Sequence, residues 1–250
     1  MPLFSDRMTQ KIVAPARQIK QHIGRWLFPP LNTRRVVAAR WLSGEGIEIG
    51  ALHNPLPLPK DLRIQYVDRM TVDELRREFP DLESLKLTPV DIVDDGESLT
   101  KFANESLDFV IANHFIEHCE DPIGTLLNQL RVLRPGGRLF LTVPDKRFTF
   151  DKDRPVTPLA HLVEDFQRGA AWSRAQHYDE WVRMVVKKSG EEQIRTEAER
   201  LMRIRQNIHF HVWTAIDFLE VVQWLRSRQS LEINALDAEY ELVIVLKKTA

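Results

Sequence analysis

"LEINALDAEYELVIVLKK", residues 231–248, holds two β-strand runs with only a few residues between them. In "LEINALD" (231–237) and "YELVIVLKK" (240–248), branched and apolar residues dominate, as on a pleated, half-buried surface. A parallel crossover needs a dozen or more residues, so these two runs must pair antiparallel. Upstream, five further runs read as strands: "GIEIG" (46–50), "RIQYVD" (63–68), "TPVDIVDD" (88–95), "SLDFVIAN" (106–113) and "GRLFLTVP" (137–144). They are nearly continuous in apolar character, which suits a parallel sheet covered by helices on both faces. The chain therefore reads as α/β, with a seven-stranded, mostly parallel sheet that ends in an antiparallel hairpin.

Helix signals fill the gaps. Asp121 is a candidate N-cap and Pro122 fits the first helical position, followed by an apolar face of Ile123, Leu126, Leu127, Leu130 and Leu133. Arg131 and Arg134 are expected in the last turn, with "PGG" (135–137) as the stop. Thr214 and Asp217 form a capping-box start to "FLEVVQWLRSR". Residues 146–208 break the alternation with Asp, Arg, His, Trp and helical stretches such as "EEQIRTEAERLMRIRQ". Placed after the fifth strand, they are expected at the carboxyl edge of the sheet, where open α/β sheets bind ligands. Four regions result: a basic helical arm (1–43), a core (44–145), a lid or substrate insertion (146–208), and a helix with a strand hairpin completing the core (209–250).

Composition narrows the function classes. The 250-residue chain is 43% hydrophobic and 28% charged, as in globular proteins, with a formal net charge of -1. That balance argues against broad phosphate attraction, and no nucleic-acid partner is expected. The single cysteine, Cys119, excludes an intrachain disulfide and fits a reducing cytoplasm. No run of 18 apolar residues or secretory leader is legible. Residues 1–40 nevertheless carry eight Lys/Arg against one acid, Asp6. That arm reads either as peripheral contact with a membrane surface or as packing on the domain or on the second copy of a homodimer.

Ligand chemistry is written at the strand ends. Glu48 lies inside the first strand, and Gly50 where the chain must turn under a ligand. Asp68 closes the second strand, placed to accept bonds from the two ribose hydroxyls of an adenine nucleotide. Asp95, Gly96 and Glu97 follow the third strand, and Asn113 and His114 follow the fourth. The loop "ALHNPLPLP" (51–59) lacks the glycines of a phosphate cradle.

Taken together, "SLDFVIANHFIEHCEDPIGTLLNQLRVLRPGGRLFLTVPD" (106–145) and the preceding acidic turn resemble the class I S-adenosylmethionine-dependent methyltransferases of methyltransferase type 11. They are particularly similar to a group accompanying bacterial polysaccharide biosynthesis. The resemblance implies a Rossmann-like fold with S-adenosyl-L-methionine as cofactor and S-adenosyl-L-homocysteine as product. It assigns Glu48, Gly50, Ala51, Asp68, Asp95, Gly96, Glu97, Asn113 and His114 to cofactor binding. The proline-rich loop departs from the family, which usually has two or three glycines there. A cofactor without phosphate does not demand them.

Methyl transfer to a hydroxyl needs alignment and a base, and histidine is the economical base near neutral pH. His114, His209 and His211 are the leading candidates, with His161 and His177 behind them. In "NIHFHVW" (207–213) an extended backbone would put His209 and His211 on one face. Asp151, Asp153, His209 and His211 lack tight ligand spacing, so no metal is expected. The reading favours O-methylation of a sugar hydroxyl of a glycan or glycoconjugate. A different small-molecule acceptor, an NAD-dependent oxidoreductase or epimerase, and a non-catalytic scaffold stay open. Localisation is expected to be cytoplasmic, with peripheral membrane contact through the arm as the variant.

Overall fold

The computed structural model describes residues 30–80 and 84–250, so most of the basic arm expected over 1–43 lies outside the described residues. Seven strands form one sheet: β1 (Glu45–Ile49), β2 (Arg63–Asp68), β3 (Ile92–Val93), β4 (Leu107–Asn113), β5 (Leu133–Pro144), β6 (Leu231–Asp237) and β7 (Glu241–Lys248). Their order is β3-β2-β1-β4-β5-β7-β6. β1 to β5 pair in parallel, and β7 runs antiparallel to both β5 and β6. The expected α/β sheet with its antiparallel hairpin is thus the observed one.

Alternate residues of the central strands feed opposite layers, which is why their sequences are apolar throughout. Phe109, Ile111, Phe140, Val243 and Val245 pack beneath Ala38 of α1 (Pro30–Trp41) and the adjoining Leu42. Val110, Ala112, Leu139, Leu141 and Ile244 face α3 (Pro122–Val132) and α7 (Ala215–Arg226). A short α2 (Val72–Glu78) follows β2.

Local chemistry fixes the helix starts. Asp121 Oδ1 accepts from the Gly124 amide at 2.9 Å, with Pro122 at the first helical position. A Cβ on Gly124 would fall 2.2 Å from Asp121 Oδ2, so a larger residue there would make the cap carboxylate shift. Thr214 and Asp217 close the expected capping box at α7. The other end of α3 differs from expectation. It stops at Val132, Leu133 opens β5 opposite Leu107, and Arg134 leaves the helix to bind Asp108 at 2.8 Å. Strand pairing captures these residues before "PGG" is reached. β3 is likewise shorter than the expected 88–95. Asp91 accepts the Tyr66 amide, while the Asp94 carboxylate folds back onto Asp95 N, Thr100 and Lys101 N.

Between β5 and α7 the insertion contributes α4 (Leu159–Arg168), α5 (Arg174–Trp181) and α6 (Glu191–Arg203). It carries an apolar cluster of its own, in which Tyr178, Trp181 and Val182 meet Ile194, Leu201 and Phe210. Among the described residues, no helix is long and apolar enough to cross a membrane. Phe218, fully buried where α7 meets the sheet, sets a test of this packing. Truncation Phe218→Ala should cost about 3–5 kcal/mol, read as a lower urea midpoint with unchanged slope.

Candidate functional site

At the carboxyl ends of β1, β4 and β5 a cavity of about 360 Å³ opens. Glu48, Gly50, Ala51, Asn113 and His114 line it, and Thr149, Phe150, His209, Tyr240 and Glu241 form further walls. Gly50 turns the chain at φ +66, in the left-handed region that suits glycine. Leu52 (φ +47) and His114 (φ +48) hold the same conformation without that freedom. Such backbone persists only where the surroundings over-determine it, and both residues line the cavity.

The floor is a relay of hydrogen bonds. Thr142 Oγ1 donates to Asn113 Oδ1, and Asn113 Nδ2 donates to Glu48 Oε1, both at 3.1 Å. The Leu56 amide also donates to Glu48. Burial still dominates over these bonds and pushes the Glu48 pKa up to about 7. An acid with a raised folded pKa takes up protons on folding. Glu48 therefore erodes stability as pH climbs from its ordinary 4.5 through 7, and a cation bound beside it reverses that cost.

Sequence reasoning missed the opposite wall. Arg34, from α1, donates from Nε to Glu241 Oε1 at 2.6 Å and from Nη2 to Oε2. Nε2 of His114 lies 2.7 Å from the same Oε2, and Glu117 Oε1 lies 3.4 Å from His114 Nδ1. Burial works against charging the imidazole. The two flanking carboxylates outweigh it and push His114 up to about 9, while burial of Glu241 is outweighed by its cations and its pKa falls to about 2. His114 therefore enters the site as a donor at neutral pH. Arg34 Nη2 comes within 2.6 Å of His114 Nε2 because both converge on one carboxylate. No spacing signal exposes this triad, whose members are 80 to 207 positions apart.

The remaining wall belongs to the insertion. Asp151, buried, takes His209 Nδ1 on Oδ2 at 2.6 Å and Arg154 Nη1 on Oδ1 at 2.8 Å. Burial opposes its charge, but His209 and Arg154 hold the carboxyl below the usual range. Arg154 also donates to the His209 carbonyl and to Glu180, which fixes the dyad from behind. His118 hydrogen-bonds the Ile208 carbonyl through Nδ1. Burial first, then His209, depresses its pKa to about 4.

His211 departs from the sequence expectation. The amides of Phe210 and His211 both donate to the Glu117 carbonyl, and that kink sends the two histidines to different places. His209 lines the cavity, while His211 is fully buried away from it. Asp68 ends β2 in contact with the Met70 amide. Asp95 serves its own turn through Glu97 N and Ser98. Gly96 is packed under Ile49 and Phe115, where a Cβ would meet carbon at 2.5 and 2.7 Å. Asp68, Asp95, Gly96 and Glu97 sit along the β2 and β3 end of the same sheet edge, beyond the cavity lining.

Residues 66–141 match the family described as "Methyltransferase domain". A comparison with curated proteins finds no match. Among solved structures, the complex between the Haloferax volcanii Trm112 methyltransferase activator and its methyltransferase partner is 15% identical, over 98% of this chain and 100% of that one (TM-score 0.50). A SAM-dependent methyltransferase from Aquifex aeolicus is 11% identical over 93% and 97% (TM-score 0.47). One from Methanosarcina mazei is 15% identical over 89% and 98% (TM-score 0.47). At such identities the likeness is one of fold, Rossmann-like.

The domain match implies S-adenosylmethionine as the cofactor, and the residues present fit it. In the loop after β1 the amides of Gly50, Asn54 and Leu56 are already engaged, by Val67 O, Ala51 O and Glu48. Buried Glu48 beside Asn113 favours a cationic ligand instead. Histidine NMR titration tests the electrostatics: His114 should titrate near 9, and Glu241→Gln should bring its midpoint down. The sign makes the pairing strongest between the ordinary values of 4.5 and 6.5, fading as pH rises through 9 or falls through 2.

Proposed function

We propose that this chain is an S-adenosylmethionine-dependent methyltransferase that O-methylates a sugar hydroxyl of a glycan or glycoconjugate, with His209 as general base. The observation that carries the reading is the Asp151–His209 dyad on the cavity wall, at 2.6 Å, facing a cavity that Glu48 and Asn113 line from the sheet side. The bound cofactor supplies an already activated methyl group on a sulfonium, so the protein contributes alignment and proton removal. His209 Nδ1–H donates to Asp151 Oδ2, a tautomer that leaves Nε2 as the basic atom. Arg154, itself buried, keeps the carboxylate ionised and the imidazole oriented.

Of the other two candidate bases, His114 is held toward its charged form by Glu117 and Glu241, which disfavours it as a base, and His211 does not line the cavity. Aromatic Phe150 and Tyr240 among the lining residues support a sugar acceptor, since apolar sugar faces stack on rings while Asn54 and Thr149 offer polar contacts. Asp68 at the end of β2 and Asp95 after β3 support an extended cofactor running along the sheet edge, with Gly96 and Glu97 beside them.

The test separates binding from chemistry. Calorimetric titration should give S-adenosylhomocysteine binding and none of NAD. His209→Ala should keep that affinity and lower the methyl-transfer rate on hydroxylic sugar acceptors about 10²–10⁴-fold. Unchanged turnover in the variant would remove His209 from the mechanism, and binding of NAD alone would overturn the methyltransferase reading.

A further inference from the structure

Behind the cavity, the insertion gathers a second set of side chains that the reaction does not use. His161 and Asp165 are one turn apart on α4, His177 is on α5, and His211 lies on the segment returning to the core. Their ligand atoms all fall within 4.8 Å of one another. His161 Nε2 is 3.1 Å from His177 Nε2 and 3.2 Å from Asp165 Oδ2, and His211 Nε2 is 3.7 Å from that same oxygen. A tetrahedral zinc site with bonds of about 2.0–2.1 Å spaces its ligand atoms about 3.3 Å apart. The two His161 distances lie close to that edge. His211 gives its Nε2 proton to the Glu120 carbonyl at 3.2 Å, which leaves Nδ1 as its ligating nitrogen.

The hydrogen bonds point the same way. Ser173 Oγ donates to Asp165 Oδ1 at 2.7 Å, which fixes the carboxylate and leaves Oδ2 turned to the histidines. Among the described residues, Asp165 Oδ2 and His211 Nδ1, the ring nitrogen not bonded to Glu120, are buried without a hydrogen-bond partner. Buried polar atoms left this way need an account. Asp165 and His211 are both essentially inaccessible, and His161 and His177 are nearly so. Trp213 stacks parallel to His211 at 6.2 Å, and Trp172 packs on His161 at 5.0 Å. The walls of this cluster are largely aromatic, and the four protein ligands would fill a tetrahedral shell, as in structural rather than catalytic zinc sites.

We infer that His161, Asp165, His177 and His211 bind one divalent transition-metal ion, zinc by ligand number and geometry, which clamps the insertion to the segment carrying His209. Three neutral imidazoles and one carboxylate leave the bound ion with a single net positive charge. The ion joins α4, α5 and residues 207–213, adding a polar clamp to the apolar contacts of Tyr178 with Phe210. This site is separate from the cofactor cavity and independent of what the enzyme methylates.

The decisive measurement uses the full-length chain, stripped with chelator and reconstituted with zinc or cobalt alone. Expected are one equivalent of zinc per chain by elemental analysis, an intense tetrahedral cobalt spectrum, and a zinc X-ray absorption shell of nitrogen and oxygen at about 2.0 Å. Chelation should lower the melting temperature and zinc should restore it. His177→Ala should lose the equivalent, whereas His118→Ala should keep it. Folded wild-type protein that takes up no zinc at tenfold excess would overturn the proposal. So would an octahedral cobalt spectrum, or metal retained by His177→Ala and lost by His118→Ala.

Discussion

The antiparallel course of β7 is the constraint on which the site depends. Parallel strands all end at the same edge, so a strand running the other way begins there. Glu241, the first residue of β7, consequently sits opposite Pro144, the last of β5. That register carries a carboxylate to the carboxyl edge without any loop to position it. Once there, it is buried and must be matched by charge, and Arg34 and His114 supply the match. One reversal of strand direction thus orders the wall of the cavity, the ionisation of His114 and the docking of α1.

The insertion solves a different problem. A bare sheet edge leaves a site open to water, and walls built over it strengthen the electrostatic interactions inside. Residues 146–208 add Thr149 and Phe150 to the cavity lining, Asp151 behind His209, and an apolar cluster. Segment 207–213 is shared between the two. Its kink at the Glu117 carbonyl lets neighbouring histidines serve the cavity on one side and a closed, polar enclosure on the other.

Much of the architecture was legible because it follows from local rules. Continuous apolar runs gave strands buried on two faces, and Asp121-Pro122 and Thr214-Asp217 marked helix starts whose bonds form as expected. The end of α3 is not legible locally: last-turn arginines and PGG mark a later stop, whereas pairing of Leu133 with Leu107 decides it. The position of Glu48, Gly50 and Asn113 followed from strand ends. Arg34 and Glu241 could not, since nothing local marks two ends of a chain that meet across a sheet. Asp165 was within reach: four residues after His161 on a helix, it shares that histidine's face. His209 and His211 were read as a pair because extended backbone keeps alternate residues together, and a single bifurcated carbonyl breaks that rule.

The ion pair between Arg34 and Glu241 bears on how the molecule is handled. A shortened form starting at residue 44 would retain every strand and every residue aligned with the methyltransferase domain. It would also strand a buried carboxylate against a single imidazole. Removing one partner of such a pair costs about 3–5 kcal/mol, a large share of the stability of an ordinary domain. The smallest fragment that keeps the cavity intact therefore begins upstream of α1. A segment that reads as a peripheral basic arm is in part a counter-ion of the central sheet.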